Sequence, residues 1–85
     1  MITSYIDWTI LQEIVPLMRE VIPEIETDIR EHTVLEDIYF DQFGLDLLRP
    51  KLEEKFEILI SDAELDSFII VADIINFIKS RSKKL

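Results

Sequence analysis

The stretch SDAELDSFIIVADIINFI, residues 61–78, decides the fold of this chain. Its first four residues fit a capping box, in which the Ser61 hydroxyl accepts the Glu64 amide and the Glu64 carboxylate accepts the Ser61 amide. A short helix is therefore predicted to begin there. Farther along, apolar side chains recur at the spacing of one helical face, at Val71, Ile74, Ile75 and Ile78. This repeat predicts a final helix.

A long first helix is predicted over residues 3–21, because apolar side chains recur there at intervals of three and four. Thr3 or Asp7 could cap its start. Pro16 lies inside the pattern and removes one backbone donor, so we expect a kink near residues 12–16. From residue 23 to residue 35 the helical periodicity is lost, which predicts a long loop over the core.

A further helix is predicted over residues 43–56, where one face is apolar, although Pro50 lies inside it. That face carries Leu45, Leu48, Leu52 and Phe56. The order of elements predicts an all-α fold, a small antiparallel four-helix bundle of three longer helices and one short helix. The long loop follows helix one.

Composition limits the chain to one domain over residues 1–85, with a basic tail at residues 79–85 that we expect to fray. The absence of cysteine excludes disulfides and thiolate chemistry and favours a cytoplasmic setting. A net charge of −9 disfavours nucleic acid and anionic membrane surfaces as partners. No stretch has the length of apolar sequence that a membrane helix requires.

Candidates for catalysis or metal binding are few. His32 is the only histidine, and an exposed, isolated histidine is more often solvated than catalytic. Neighbouring acids such as Glu53 and Glu54 point apart on a helix, and a single glycine excludes a glycine-rich phosphate loop. We therefore expect neither an enzyme nor a metal site.

Four segments resemble the acyl carrier protein family and the related peptidyl and D-alanyl carriers, over about residues 5–79. They are TVLEDI (33–38), DQF (41–43), LEEKFEI (52–58), and the run from ISDAE to VADIINFI (60–78). The resemblance implies the carrier bundle, with 4′-phosphopantetheine on a serine at the start of helix two. It also implies partner enzymes with basic surfaces that bind an acidic helix two.

The position that aligns with the carrier serine is Gln42. A second alignment, shifted by five residues, places Leu47 there instead. Neither side chain is a hydroxyl that could attack coenzyme A, so the sequence predicts no phosphopantetheine. The family glycine before this turn is Tyr39, and Pro50 is expected to interrupt a helix two that is near neutral here.

Residues around the start of helix two are the predicted partner-binding surface: Asp37, Tyr39, Phe40, Asp41, Gln42, Asp46 and Arg49. The bulky aromatics of this region, Tyr39, Phe40 and Phe43, are either a contact patch or core side chains that close the end of the bundle. Both interpretations stay open at the level of sequence.

The sequence favours a non-enzymatic module that binds a protein partner, such as a biosynthetic enzyme of a carrier-dependent pathway, without a prosthetic arm. One alternative is a genuine acyl or aminoacyl carrier for fatty-acid, polyketide or peptide biosynthesis whose serine is substituted here. Another is a small acidic inhibitor or immunity-type protein that covers a basic active site.

Overall fold

A computed structural model of the protein describes residues 4–82 and contains four α-helices and one 3₁₀ helix. The α-helices are α1 (Tyr5–Val21), α2 (Gln42–Phe56), α3 (Asp62–Asp66) and α4 (Val71–Arg81), and the 3₁₀ helix is Leu35–Ile38. The predicted order of a long helix, a long loop, a helix, a short helix and a final helix is confirmed.

The apolar faces predicted for the helices form one core, in which α1 packs against α2 and α4. The buried helix residues are Ile10, Ile14, Met18, Leu45, Leu48, Leu52, Phe56, Leu65, Val71, Ile74, Ile75 and Ile78. Each large apolar side chain buried there contributes about 1.5–3 kcal/mol relative to exposure.

Pro16 and Pro50 each lie inside a continuous helix. The expected interruption of α2 at Pro50 is wrong, and the reason is packing. A proline inside a helix costs about 3 kcal/mol. The four buried side chains on the core face of α2 together outweigh that cost, and α1 likewise runs as one helix through Pro16.

The helix starts depend on short polar side chains. Ser61 and Glu64 form the predicted capping box of α3, with bonds of 3.1 and 3.0 Å. At α1 the cap is Ser4, whose hydroxyl accepts the Asp7 amide at 3.1 Å. Asp7 is therefore not the cap, and the other candidate, Thr3, lies outside the described residues.

The long loop is anchored at both ends. Ile25 and Ile29 insert into the core, while the Arg19 guanidinium donates to the carbonyls of Ile25 and Thr27 at 2.7 and 3.1 Å. An isolated antiparallel bridge joins Val34 to Ile70. These contacts fix the start of the 3₁₀ helix, which the sequence pattern did not predict, against the start of α4.

The fraying of residues 79–85 stays a prediction: residues 79–81 form the end of α4, and residues 83–85 lie outside the described part. Lys79 pairs with Asp7 at 2.7 Å, and Arg81 pairs with Glu64 at 2.6 Å. The Ser82 hydroxyl donates to the Phe56 carbonyl at 3.1 Å. These contacts attach the end of α4 to three other parts of the fold.

Candidate functional site at the start of α2

The chain turns sharply between the 3₁₀ helix and α2. Tyr39 has the left-handed backbone conformation (φ 65°, ψ 19°), which side chains other than glycine seldom adopt. The Phe40 amide donates back to the Leu35 carbonyl at 2.9 Å, and the Asp41 carboxylate accepts the Gly44 amide at 3.1 Å. The turn and this cap set where α2 begins.

Gln42 is the first residue of α2, and its side chain is exposed. Its carboxamide nitrogen donates to Asp46 Oδ1 at 3.0 Å, one turn farther along the helix. The same carboxylate oxygen lies 3.9 Å from the guanidinium of Arg49. A carboxamide is a weak nucleophile, so this position offers hydrogen bonding and no covalent attachment.

The second aligned position, Leu47, is an apolar side chain in the second turn of α2, 44% exposed. All five serines of the chain lie outside α2, and each is hydrogen-bonded away from the start of that helix: Ser4, Ser61, Ser67, Ser80 and Ser82. The residues at the start of α2 therefore do not fit a phosphopantetheine phosphodiester.

The structure separates the two aromatics predicted to bind a partner. Tyr39 is 77% exposed, whereas Phe40 is 1% exposed and belongs to the core. The assignment of Phe40 to the partner surface is corrected accordingly. The left-handed turn at Tyr39 directs these neighbouring side chains to opposite environments, which explains why one packs and the other does not.

Four other predicted surface residues are exposed at the start of α2 or just before it, at Asp37, Asp41, Gln42 and Asp46. Arg49 is only a quarter exposed, and its guanidinium bonds Asp62 Oδ1 at 2.7 Å and the Ile60 carbonyl at 3.2 Å. The hydrogen bond to Asp62 raises the pKa of Arg49. Arg49 thus holds α2 to the start of α3.

Two exposed apolar residues lie beside the predicted surface: Phe43, which the sequence left open between contact and core, and Ile69, which it did not single out. Phe43, in the first turn of α2, is 71% exposed, and Ile69, just before α4, is 65% exposed. Phe43 falls outside the apolar stripe that includes Leu45 and Leu48, so the helical periodicity contained a signal for its exposure. Ile69 reaches the start of α2 only through the tertiary fold, where it lines a groove with Gln42, and no local pattern marks that contact.

Among residues 4–82, no group of three or more histidine, aspartate or glutamate side chains is placed to hold a metal ion. His32 is exposed, as expected. No helix in the described range is long and apolar enough to cross a membrane.

No protein-family model matches the chain. An acyl carrier protein of Thermotoga maritima, known from its crystal structure, has the same fold, with a TM-score of 0.79 over 94% of both chains and 20% identity. That likeness confirms the predicted four-helix carrier fold.

Sequence relatives carry the same name. The acyl carrier protein of Campylobacter curvus is 38% identical over 53 residues, which are 62% of this chain and 69% of that protein. The acyl carrier proteins of Campylobacter fetus and Campylobacter concisus are 36% and 34% identical over the same shares. On this identity and coverage, the chain belongs to the acyl carrier protein family.

Proposed function

We propose that this protein is a non-enzymatic member of the family that binds a protein partner through the start of α2 and carries no phosphopantetheine arm. The observation that carries the proposal is Gln42, the first residue of α2, whose carboxamide is bonded to Asp46. The serines of the chain lie away from this position and are bonded elsewhere.

The surface around Gln42 supports the binding half of the proposal. Tyr39 and Phe43 expose most of their rings beside the exposed carboxylates of Asp37 and Asp41. Exposed aromatic residues within a polar rim are typical of protein interfaces.

A mass measurement tests the missing arm. The purified protein is incubated with coenzyme A and a promiscuous phosphopantetheinyl transferase, beside a carrier protein that has the serine. We expect no gain of mass in this protein and full modification of the control. A stoichiometric gain would refute the proposal and favour the second candidate, a genuine acyl or aminoacyl carrier, which the names of the relatives support.

Affinity capture with matched baits tests the binding surface. Phe43→Ser removes an exposed side chain at the start of α2, and Leu59→Ser removes an equally exposed apolar side chain between α2 and α3. A partner that binds as proposed is retained by the Leu59 variant and lost from the Phe43 variant. Equal retention by both baits would place the partner elsewhere.

A further inference from the structure

Three exposed apolar side chains surround the start of α2 with nothing packed over them: Tyr39, Phe43 and Ile69. Two grooves flank the same point. One, of about 330 Å³, is lined in part by Glu36, Gln42, Asp66 and Ile69. The other, of about 310 Å³, is lined in part by Glu24, Glu26, Asp37 and Tyr39. Each groove therefore combines an exposed apolar side chain with carboxylates.

Within residues 4–82 the carboxylates of these grooves form no ion pair, although the Arg19 guanidinium bonds the loop carbonyls on either side of Glu26. Within residues 4–82, no lysine or arginine lies within ion-pair distance of Glu24, Glu26, Glu36, Asp37 or Asp66. Six of the seven described cations pair with other carboxylates, and Arg19 donates to the carbonyls of the loop. These five carboxylates thus keep negative charge that no ion pair among the described residues neutralises.

The exposed length of α2 is different, because its charges are balanced. Asp46 lies beside Arg49, while Lys51 and Lys55 pair with acids of α1 at 3.0 and 3.4 Å. The Glu53 carboxylate accepts the Ile60 amide at 2.9 Å. A cationic partner surface would therefore gain little electrostatic attraction along α2, and more over the loop and the 3₁₀ helix.

The geometry points to a partner of stated chemistry: a protein surface that places an apolar side chain against Tyr39 and Phe43, with lysines or arginines over the loop and the 3₁₀ helix. This inference rests on the proposed function. It places the charged contacts on the loop and the 3₁₀ helix, and not along α2. The described carboxylates are not grouped for a single metal ion. They suit several separate cations, as a protein surface supplies.

A defined probe tests the placement. An amphipathic helical peptide of leucine and lysine, acetylated and amidated, is titrated into the isotopically labelled protein at low ionic strength. We expect the largest amide shifts at residues 24–26, 36–39 and 69, and weaker binding as salt is added. Shifts centred on residues 46–54, or no saturable binding, would overturn the inference.

Charge variants sharpen the result. Glu26→Gln and Asp37→Asn should each lower the affinity for the peptide by about two- to fivefold, the usual range for one exposed charge pair. The control Glu54→Gln removes an exposed α2 carboxylate and should leave the affinity unchanged. Equal losses in all three variants would overturn the placement. Failure here leaves the proposed function intact, whereas a mass gain with coenzyme A refutes that function whatever the peptide does.

Discussion

The carboxamide of Gln42 donates a 3.0 Å hydrogen bond to the carboxylate of Asp46 across the first turn of α2. The two residues lie at i and i+4, so they face each other on the helix surface. Because Arg49 approaches the same carboxylate oxygen, the three side chains form a line along α2. Gln42, which we predict to align with the carrier serine, is here part of a surface hydrogen-bond network.

Restoring a serine distinguishes the two alignments. Because α2 is continuous through Pro50 and the Asp41 cap is in place, we expect Gln42→Ser to gain phosphopantetheine in the transferase assay. Leu47→Ser, in the second turn and only partly exposed, should not. Intact-mass spectrometry reads both outcomes. Modification of the Leu47 variant alone would support the shifted alignment.

Truncating the two adjacent aromatics should give opposite results. Phe40→Ala removes a fully buried ring, which costs about 3–5 kcal/mol of folding free energy, so the variant should largely unfold. Tyr39→Ala should leave the melting temperature nearly unchanged and weaken the binding free energy of the leucine-lysine peptide by about 1–3 kcal/mol. Thermal melts and peptide titrations measure both effects. A Tyr39 variant that unfolds would contradict the surface role.

The left-handed backbone at Tyr39 offers a route to a more stable protein. A residue with a Cβ atom destabilises the folded state by about 1–2 kcal/mol in this conformation, and glycine avoids most of that cost. Glycine also makes the unfolded chain more flexible, which offsets part of the gain. We expect Tyr39→Gly to raise the free energy of unfolding by about 0.5–1 kcal/mol, as measured by urea denaturation. Tyr39→Ala, with the same backbone cost, is the control and should show no gain.

Glu64 should make stability depend on pH in the acid range. Hydrogen bonds from the Ser61 backbone and side chain, followed by that from Arg81, lower the pKa of Glu64 from its ordinary 4.5. The folded state then binds a proton less readily than the unfolded state, so this stability is present above about pH 4.5 and is lost as pH falls through the lower folded pKa.

Urea unfolding of Glu64→Gln measures that dependence. The variant should be less stable than the wild type at neutral pH, and the difference should shrink as the pH falls below the ordinary pKa of the carboxylate. Glu54→Gln, which removes an exposed carboxylate, should follow the wild type throughout. A constant difference across the pH range would show that the cap acts without its charge.

Local sequence patterns were sufficient for the helices but not for the site. The stripe from Leu45 to Phe56 and the Ser61 capping box depend on neighbours within one or two turns, which the sequence displays directly. Whether Tyr39 or Phe40 is buried depends on a left-handed turn that a glycine would have marked and a tyrosine does not. The anchoring of Lys79 by Asp7 joins opposite ends of the chain, beyond any local pattern.

The bonds between the long loop and α4 make the two parts open together. The Glu31 and Thr33 carbonyls accept the Ala72 and Val71 amides at 2.7 and 3.0 Å, and the Leu35 amide donates to the Ile69 carbonyl at 2.9 Å. These amides exchange with solvent only when the loop leaves the first turn of α4. A partner that holds the 3₁₀ helix would therefore also slow amide exchange at the start of α4. Binding at the 3₁₀ helix can thus be detected as protection of the first α4 amides from exchange.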